Sequence, residues 1–203
     1  MADQGDHLEI EQKFEVDAGF GRPDFGALPG VTAAAPVTYH LAATYYDTAD
    51  TRLANAKITL RRRTGGTDEG WHLKLPAGMD TRRELHEPLS EHVPDRFAAQ
   101  VAEVTAGAPL VPIATLATER TAVTLATSAP VAEVADDVVT ARRLAAAGTD
   151  AGAGAREPLR WREIEVELLE PDPELQAAAA RLLRAAGARP AGKASKLARL
   201  LDS

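Results

Sequence analysis

Residues 8–16, LEIEQKFEV, alternate apolar and charged positions with the period of two that a strand requires. Leu8, Ile10, Phe14 and Val16 lie on one face; Glu9, Glu11, Lys13 and Glu15 lie on the other. The same alternation predicts strands over 38–47, 57–64, 70–76 and 82–89, with GGTDEG and PAGMD as turns between them. Further strands are predicted at 111–126, 131–140 and 161–169. Helical spacing is confined to a few places. Phe97, Val101 and Val104 recur at i, i+4, i+7 within 95–104, and a short turn is expected near 24–28. Residues 172–187 carry the clearest helix signal, with Asp172 as N-cap, Pro173 in the first turn and Gly187 just past the end. Its apolar stripe reads Leu175, Ala179, Leu182 and Ala186, and a last amphipathic piece spans 193–202. A small-residue, low-complexity loop is predicted at about 144–158.

Neither block of strands completes a core alone, so one domain over 1–203 is expected. The class is α+β, mainly antiparallel β, and short strands at regular spacing suggest a barrel or sandwich. Composition then removes whole function classes. The net charge of −7 argues against bulk nucleic acid as the partner, and the absence of cysteine excludes disulfides and thiolate chemistry. No apolar run is long enough for a transmembrane helix, and the acidic start is not a signal peptide, so a cytoplasmic protein with no membrane partner is expected. There is no phosphate-binding P-loop, no HExxH and no GxSxG, and the glycines near Gly152 and Gly154 follow no strand–turn–helix pattern. The five histidines stand singly on different segments, which favours surface or core roles over metal ligation.

What remains is strand after strand with a charged face of both signs. Arg61 and Arg63 share a face; so do His72 and Lys74, Arg82 and Glu84, and Glu133 and Asp137. Any one strand of this kind is a solvated face by default. However, Glu9–Glu11–Glu15 and Glu163–Glu165–Glu167 stack carboxylates that repel unless a cation sits among them. Separate carboxylate and guanidinium strands suit a divalent metal together with a polyanion. Arginine outnumbers lysine 18 to 5, so each retained lysine hints at a place that wants a compact ammonium.

EIEQKF (9–14), TYYDT (44–48), LRRR (60–63), WHLKLP (71–76), RRELHEPL (82–89) and REIEVEL (162–168) occur in that order. In these segments the chain resembles the CYTH superfamily, the triphosphate tunnel metalloenzymes, from about Leu8 to Leu201. The resemblance implies a closed eight-stranded antiparallel barrel, with charged faces inward and helices packed outside. It implies metal ligation by Glu9, Glu11, Glu84, Glu133, Asp137, Glu165 and Glu167, and phosphate binding by Lys13, Arg61, Arg63, Lys74, Arg120 and Lys196, with Lys193 competing for the last role. Lys13, Glu11, Arg61 and Lys74 are the residues expected to carry catalysis. Asp136 competes with Asp137, and Ala135 stands where some relatives carry another carboxylate.

The implied activity is hydrolysis of a linear triphosphate, inorganic triphosphate first, with Mg²⁺ or Mn²⁺. The scarcity of aromatic residues offers little surface for an organic head group. Alternatives within the resemblance are a thiamine or nucleoside triphosphatase, an adenylate cyclase, or a polyphosphate-binding module with little turnover. Chains of this character often precede a helical CHAD domain, and a homodimer is left open.

Overall fold

In the computed structural model, residues 6–77, 82–144, 157–192 and 195–203 are described, with backbone alone for residues 6–9. Most of the 144–158 loop expectation, and Lys193, therefore lie outside the described residues. The long strands are β1 (Asp6–Val16), β3 (Val37–Asp47), β4 (Thr59–Thr64), β5 (Gly70–Pro76), β6 (Arg82–Glu87), β7 (Val111–Ala126), β8 (Pro130–Arg143) and β9 (Leu159–Leu168). Two-residue strands β2 (Thr32–Ala33) and β10 (Arg189–Pro190), too short to leave a periodic signal, pair with β7 and β1. The helices are α1 (Arg52–Asn55), α2 (Asp95–Gln100), α3 (Ala102–Thr105), α4 (Pro173–Ala185) and α5 (Lys196–Leu201).

The long strands pair antiparallel in the order β1-β6-β5-β4-β3-β7-β8-β9. β1 borders both ends of that series. Its residues 6–9 pair with β6, and residues 10–16 pair with β9. The fold is mainly antiparallel sheet with few helices, and none among the described residues is long and apolar enough to cross a membrane.

Two apolar layers cover the outer faces of the strands. In one, Leu175, Ala179 and Leu183 of α4 pack on Phe14, Val134, Ile164 and Val166. In the other, Leu53 of α1 and Phe97 and Val101 pack on Leu60, Trp71, Leu73 and Leu85. Fully burying one such Leu or Phe is worth about 1.5–3 kcal/mol. The odd-and-even alternation of each strand then leaves its charged set facing the other way.

Local chemistry accounts for most boundaries. Asp172 caps α4, its Oδ1 accepting from the Glu174 and Leu175 amides at 3.1 and 2.9 Å. Gly187 follows with φ +101, a left-handed conformation that suits glycine. The α4 stripe is rotated from the expected one: Leu183 is buried and Ala186 exposed, because the helix leans Ala180 and Leu183 onto the sheet. The helix expected over 95–104 breaks at Val101, whose ψ of 4° separates α2 from α3. The strand expected from 57 starts at Thr59, because α1 and a left-handed Lys57 (φ +61) fill the preceding turn. Asp47 is the fixed point of that turn; its carboxylate accepts from the amides of Thr48, Leu53 and Ala54 at 2.7–2.9 Å. Gly65, at φ +81 in the β4–β5 turn, lies so close to the His40 carbonyl that a Cβ would collide with it.

Candidate phosphate and metal site

All eight long strands and α5 contribute side chains to one cavity of about 200 Å³. Eleven of the residues named from sequence line it together: Glu11, Lys13, Arg61, Arg63, Lys74, Glu84, Arg120, Asp137, Glu165, Glu167 and Lys196. Two buried carboxylates organise their cations.

Glu84 organises the β4–β6 wall. Its Oε1 lies 2.9 Å from His72 Nδ1 and 3.9 Å from Arg61 Nη2, and its Oε2 lies 3.3 Å from Lys74 Nζ. Burial pushes the Glu84 pKa up, but Lys74, the His72 hydrogen bond and Arg61 outweigh it and hold the carboxyl below its ordinary range. Burial lowers the His72 imidazole to about 4, helped by Arg61 and Arg63 and opposed by Glu84. Beside them, Arg61 and Arg63 each keep a buried Nε with no hydrogen-bond partner among the described residues. Burial, then Arg61 and Arg120, press the Arg63 guanidinium down to about 9. Arg63 also pairs with the Asp68 carboxylate, and Arg61 with Glu84.

Glu165 organises the opposite wall. Its Oε1 accepts from Lys13 at 2.8 Å and from Lys196 at 2.7 Å, and its Oε2 accepts from Arg120 at 2.8 Å. Arg120 grips Asp137 with two parallel bonds, Nε at 2.8 Å and Nη2 at 2.7 Å. Lys196 Nζ also reaches Asp137 at 2.9 Å and Glu163 at 2.7 Å. Burial raises the Glu165 pKa, yet Lys13, Lys196 and Arg120 pull it well below the carboxylate range. Burial likewise opposes the charge on Lys196, and Asp137, Glu165 and Glu163 overcome it, raising its pKa well above 10.5. Lys13 adds a contact to Glu11 at 3.1 Å.

Glu163 and Glu165 of β9 thus have their cations, two lysine ammoniums and the Arg120 guanidinium. Asp137, Glu163 and Glu165 each offer an oxygen within 4.8 Å of the others, a grouping able to hold a metal, with Lys196 already seated in it. A second carboxylate row is set by register alone: Glu11 opposes Glu167 on β9, and Glu167 opposes Glu133 on β8. Such all-oxygen donor sets fit a hard divalent cation. Glu133 lies in that row at 4.0 Å from Arg120. The Glu9 backbone pairs with Arg82 of β6, and its side chain is among those not described.

The register separates Asp136 from Asp137. Asp136 faces outward, where Arg162 holds it bidentately at 2.8 Å and donates onward to the carbonyls of Ala18 and Phe20. Ala135 stands opposite Glu165, so that carboxylate meets cations instead of another acid. Two site residues escaped the sequence reading. Glu163 was visible as a member of the alternating Glu163–Glu165–Glu167 set, and His72 as the neighbour of Lys74 on one strand face; only the fold put Lys196 and Glu84 against them.

The CYTH domain family matches residues 7–201. Uncharacterized proteins from two strains of Mycobacterium tuberculosis are 42% identical over 97% of this chain. The chain spans about 40% of the length of those relatives. Among solved structures, a candidate adenylate cyclase from Bacillus halodurans superposes with a TM-score of 0.60 at 18% identity, covering 97% of this chain and 98% of that one. A candidate adenylyl cyclase from Hippeastrum, described as having a dominant triphosphatase activity, superposes at 0.55 with 18% identity, covering 96% and 95%.

Proposed function

This chain belongs to the CYTH domain family, and from that premise we propose that it hydrolyses a linear triphosphate, most simply inorganic triphosphate, in a metal-dependent reaction. The observation that carries the reading is the pair of buried Arg61 and Arg63 Nε atoms that have no hydrogen-bond partner among the described residues, on a cavity wall where Arg61, Arg63 and Arg120 repel one another. A buried donor left unsatisfied is costly. Three or four fused anionic groups would satisfy these donors and relieve the mutual repulsion at once. The cavity, at about 200 Å³, is below the roughly 300–1,000 Å³ typical of drug-sized ligands, which favours a bare phosphate chain over a nucleotide or thiamine ester.

In this reading the eight strands act as a closed barrel within a single domain of residues 1–203, working in the cytoplasm. The use of β1 by both β6 and β9 supports closure. Lys13, Arg61, Arg63, Lys74, Arg120 and Lys196 clamp the anion and hold its terminal phosphorus for in-line attack by water. Glu84 orients Lys74, His72 and Arg61; Glu165 orients Lys13, Lys196 and Arg120. Glu11 and Glu167, with Glu9 and Glu133 near them, would hold Mg²⁺ or Mn²⁺. That ion, when bound, supplies neutralisation of phosphate charge.

The test is phosphate release from inorganic triphosphate with Mg²⁺ or Mn²⁺. Turnover is expected to vanish in excess EDTA and in Glu11→Ala; full turnover under either condition rejects the reading. A second reading is favoured by the 40% coverage of the longer relatives. There the domain grips polyphosphate with little turnover on behalf of a further domain, such as the CHAD module. Stoichiometric retention of polyphosphate without release of orthophosphate would select it.

A further inference from the structure

The cations of the cavity differ in where their carboxylates sit. Lys13, Arg61, Lys74, Arg120 and Lys196 each lie within 4 Å of a carboxylate side chain that is no more than 11% exposed. Arg63 departs from that pattern. Its side chain is 5% exposed, yet it pairs with Asp68, whose side chain is 60% exposed in the turn between β4 and β5. Arg63 and Asp68 both line the cavity.

That turn is held by its backbone as well as by the ion pair. The Asp68 carbonyl lies 2.9 Å from His72 Nε2 and accepts from Arg63 Nη2 at 3.2 Å. The Glu69 carbonyl lies 3.2 Å from His86 Nε2, and the two imidazoles meet edge to face with centroids 4.9 Å apart. At the other end of the turn, Gly65 lies against the His40 carbonyl. The Asp68 carboxylate can therefore leave Arg63 by rotating its own side chain toward solvent, while the chain around it stays in place. Water rehydrates a carboxylate released at an exposed position, so an exchange there costs little. Moving Glu84, Asp137 or Glu165 off its cations would leave a buried charge unpaired.

We propose that Asp68 is an exchangeable counter-ion of Arg63: its carboxylate competes with the phosphate ligand for that guanidinium and limits how tightly the site holds what it binds. This rests on the triphosphate reading above and adds a residue that acts on release. A phosphoryl group, with three accepting oxygens and on the order of two negative charges, displaces a single carboxylate from the guanidinium fork. Arg63 keeps the Asp68 carbonyl in either state. The tether makes the carboxylate an effective competitor, because a group held at the site acts at a high local concentration. Every ligand that uses Arg63 then binds more weakly by the fraction of time the guanidinium is free. That applies to the pyrophosphate left after triphosphate loses one orthophosphate, so Asp68 favours release of product.

The experiment is calorimetric titration of the full chain in Mg²⁺ with pyrophosphate and with linear imidotriphosphate, whose P–N–P links resist hydrolysis. Asp68→Asn keeps the shape of the side chain and removes its charge. It is expected to bind imidotriphosphate about ten-fold more tightly than wild type, and pyrophosphate by a similar factor. Glu119→Gln removes one negative charge from an exposed position outside the cavity and should change either affinity by less than about two-fold. With Arg63→Gln already in place, Asp68→Asn should add nothing, because the two residues act through one contact. Unchanged or weaker binding in Asp68→Asn overturns the proposal and leaves the triphosphate reading intact. So does an equal gain with Arg63→Gln in place, which would mark a general effect of charge. Failure of imidotriphosphate to bind wild type and Asp68→Asn alike rejects the functional reading and the proposal with it.

Discussion

Glu165 shows how one residue can hold a charged interior together. With 9% exposure it accepts from Lys13, Lys196 and Arg120, and its charge offsets the cost of burying all three. Removing one member of such a buried network leaves its partners uncompensated, at a cost of about 3–5 kcal/mol. Glu165→Gln is therefore expected to lose stability of that order in urea unfolding, while Glu119→Gln, at an exposed position, loses less than about 0.5 kcal/mol. Equal losses would show that the cations find other partners. Sequence displayed Glu165 as one of three alternating acids, but carried no sign that Lys196, 31 positions away, would bind it.

At the scale of elements, each long strand does two jobs with its two faces. β9 turns Ile164, Val166 and Leu168 to α4 and Glu163, Glu165 and Glu167 to the cavity. The two faces should respond separately to mutation. Leu183→Ala in α4 is expected to cost about 2–5 kcal/mol by leaving a void on the outer face. The KM for triphosphate in the folded variant should stay unchanged. A raised KM would mean that the outer layer sets the cavity's shape. Helix ends were legible wherever a local side chain makes them, as Asp172 does for α4. The stop of α2 at Val101 and the turn of α1 were not, because Asp47 caps α1 from the preceding strand and tertiary packing sets the break.

Seen as a whole, the described part of the molecule has a polar cavity with apolar layers on the outer strand faces, and α5 packs an apolar cluster on Tyr45, Leu116, Val139 and Trp161. Leu200→Ala is expected to destabilise the fold by about 2–5 kcal/mol and to red-shift the emission of Trp161, the tryptophan that α5 covers. An unshifted spectrum would show that the cluster around Trp161 reseals. The sequence by itself determined the strands, the mainly antiparallel class and which residues share a strand face, because period-two alternation is a local consequence of backbone geometry. Its ordered motifs also determined the family. Which face turns inward was beyond pattern alone, since a strand with one charged face reads the same whether that face meets water or a cavity. Tertiary structure decided that, along with the choice of Asp137 over Asp136, the place of His72 and Glu163, and the packing of α5 on Trp161. Each depends on pairing between segments far apart in the chain, and burial makes their charges acceptable only when those partners arrive together.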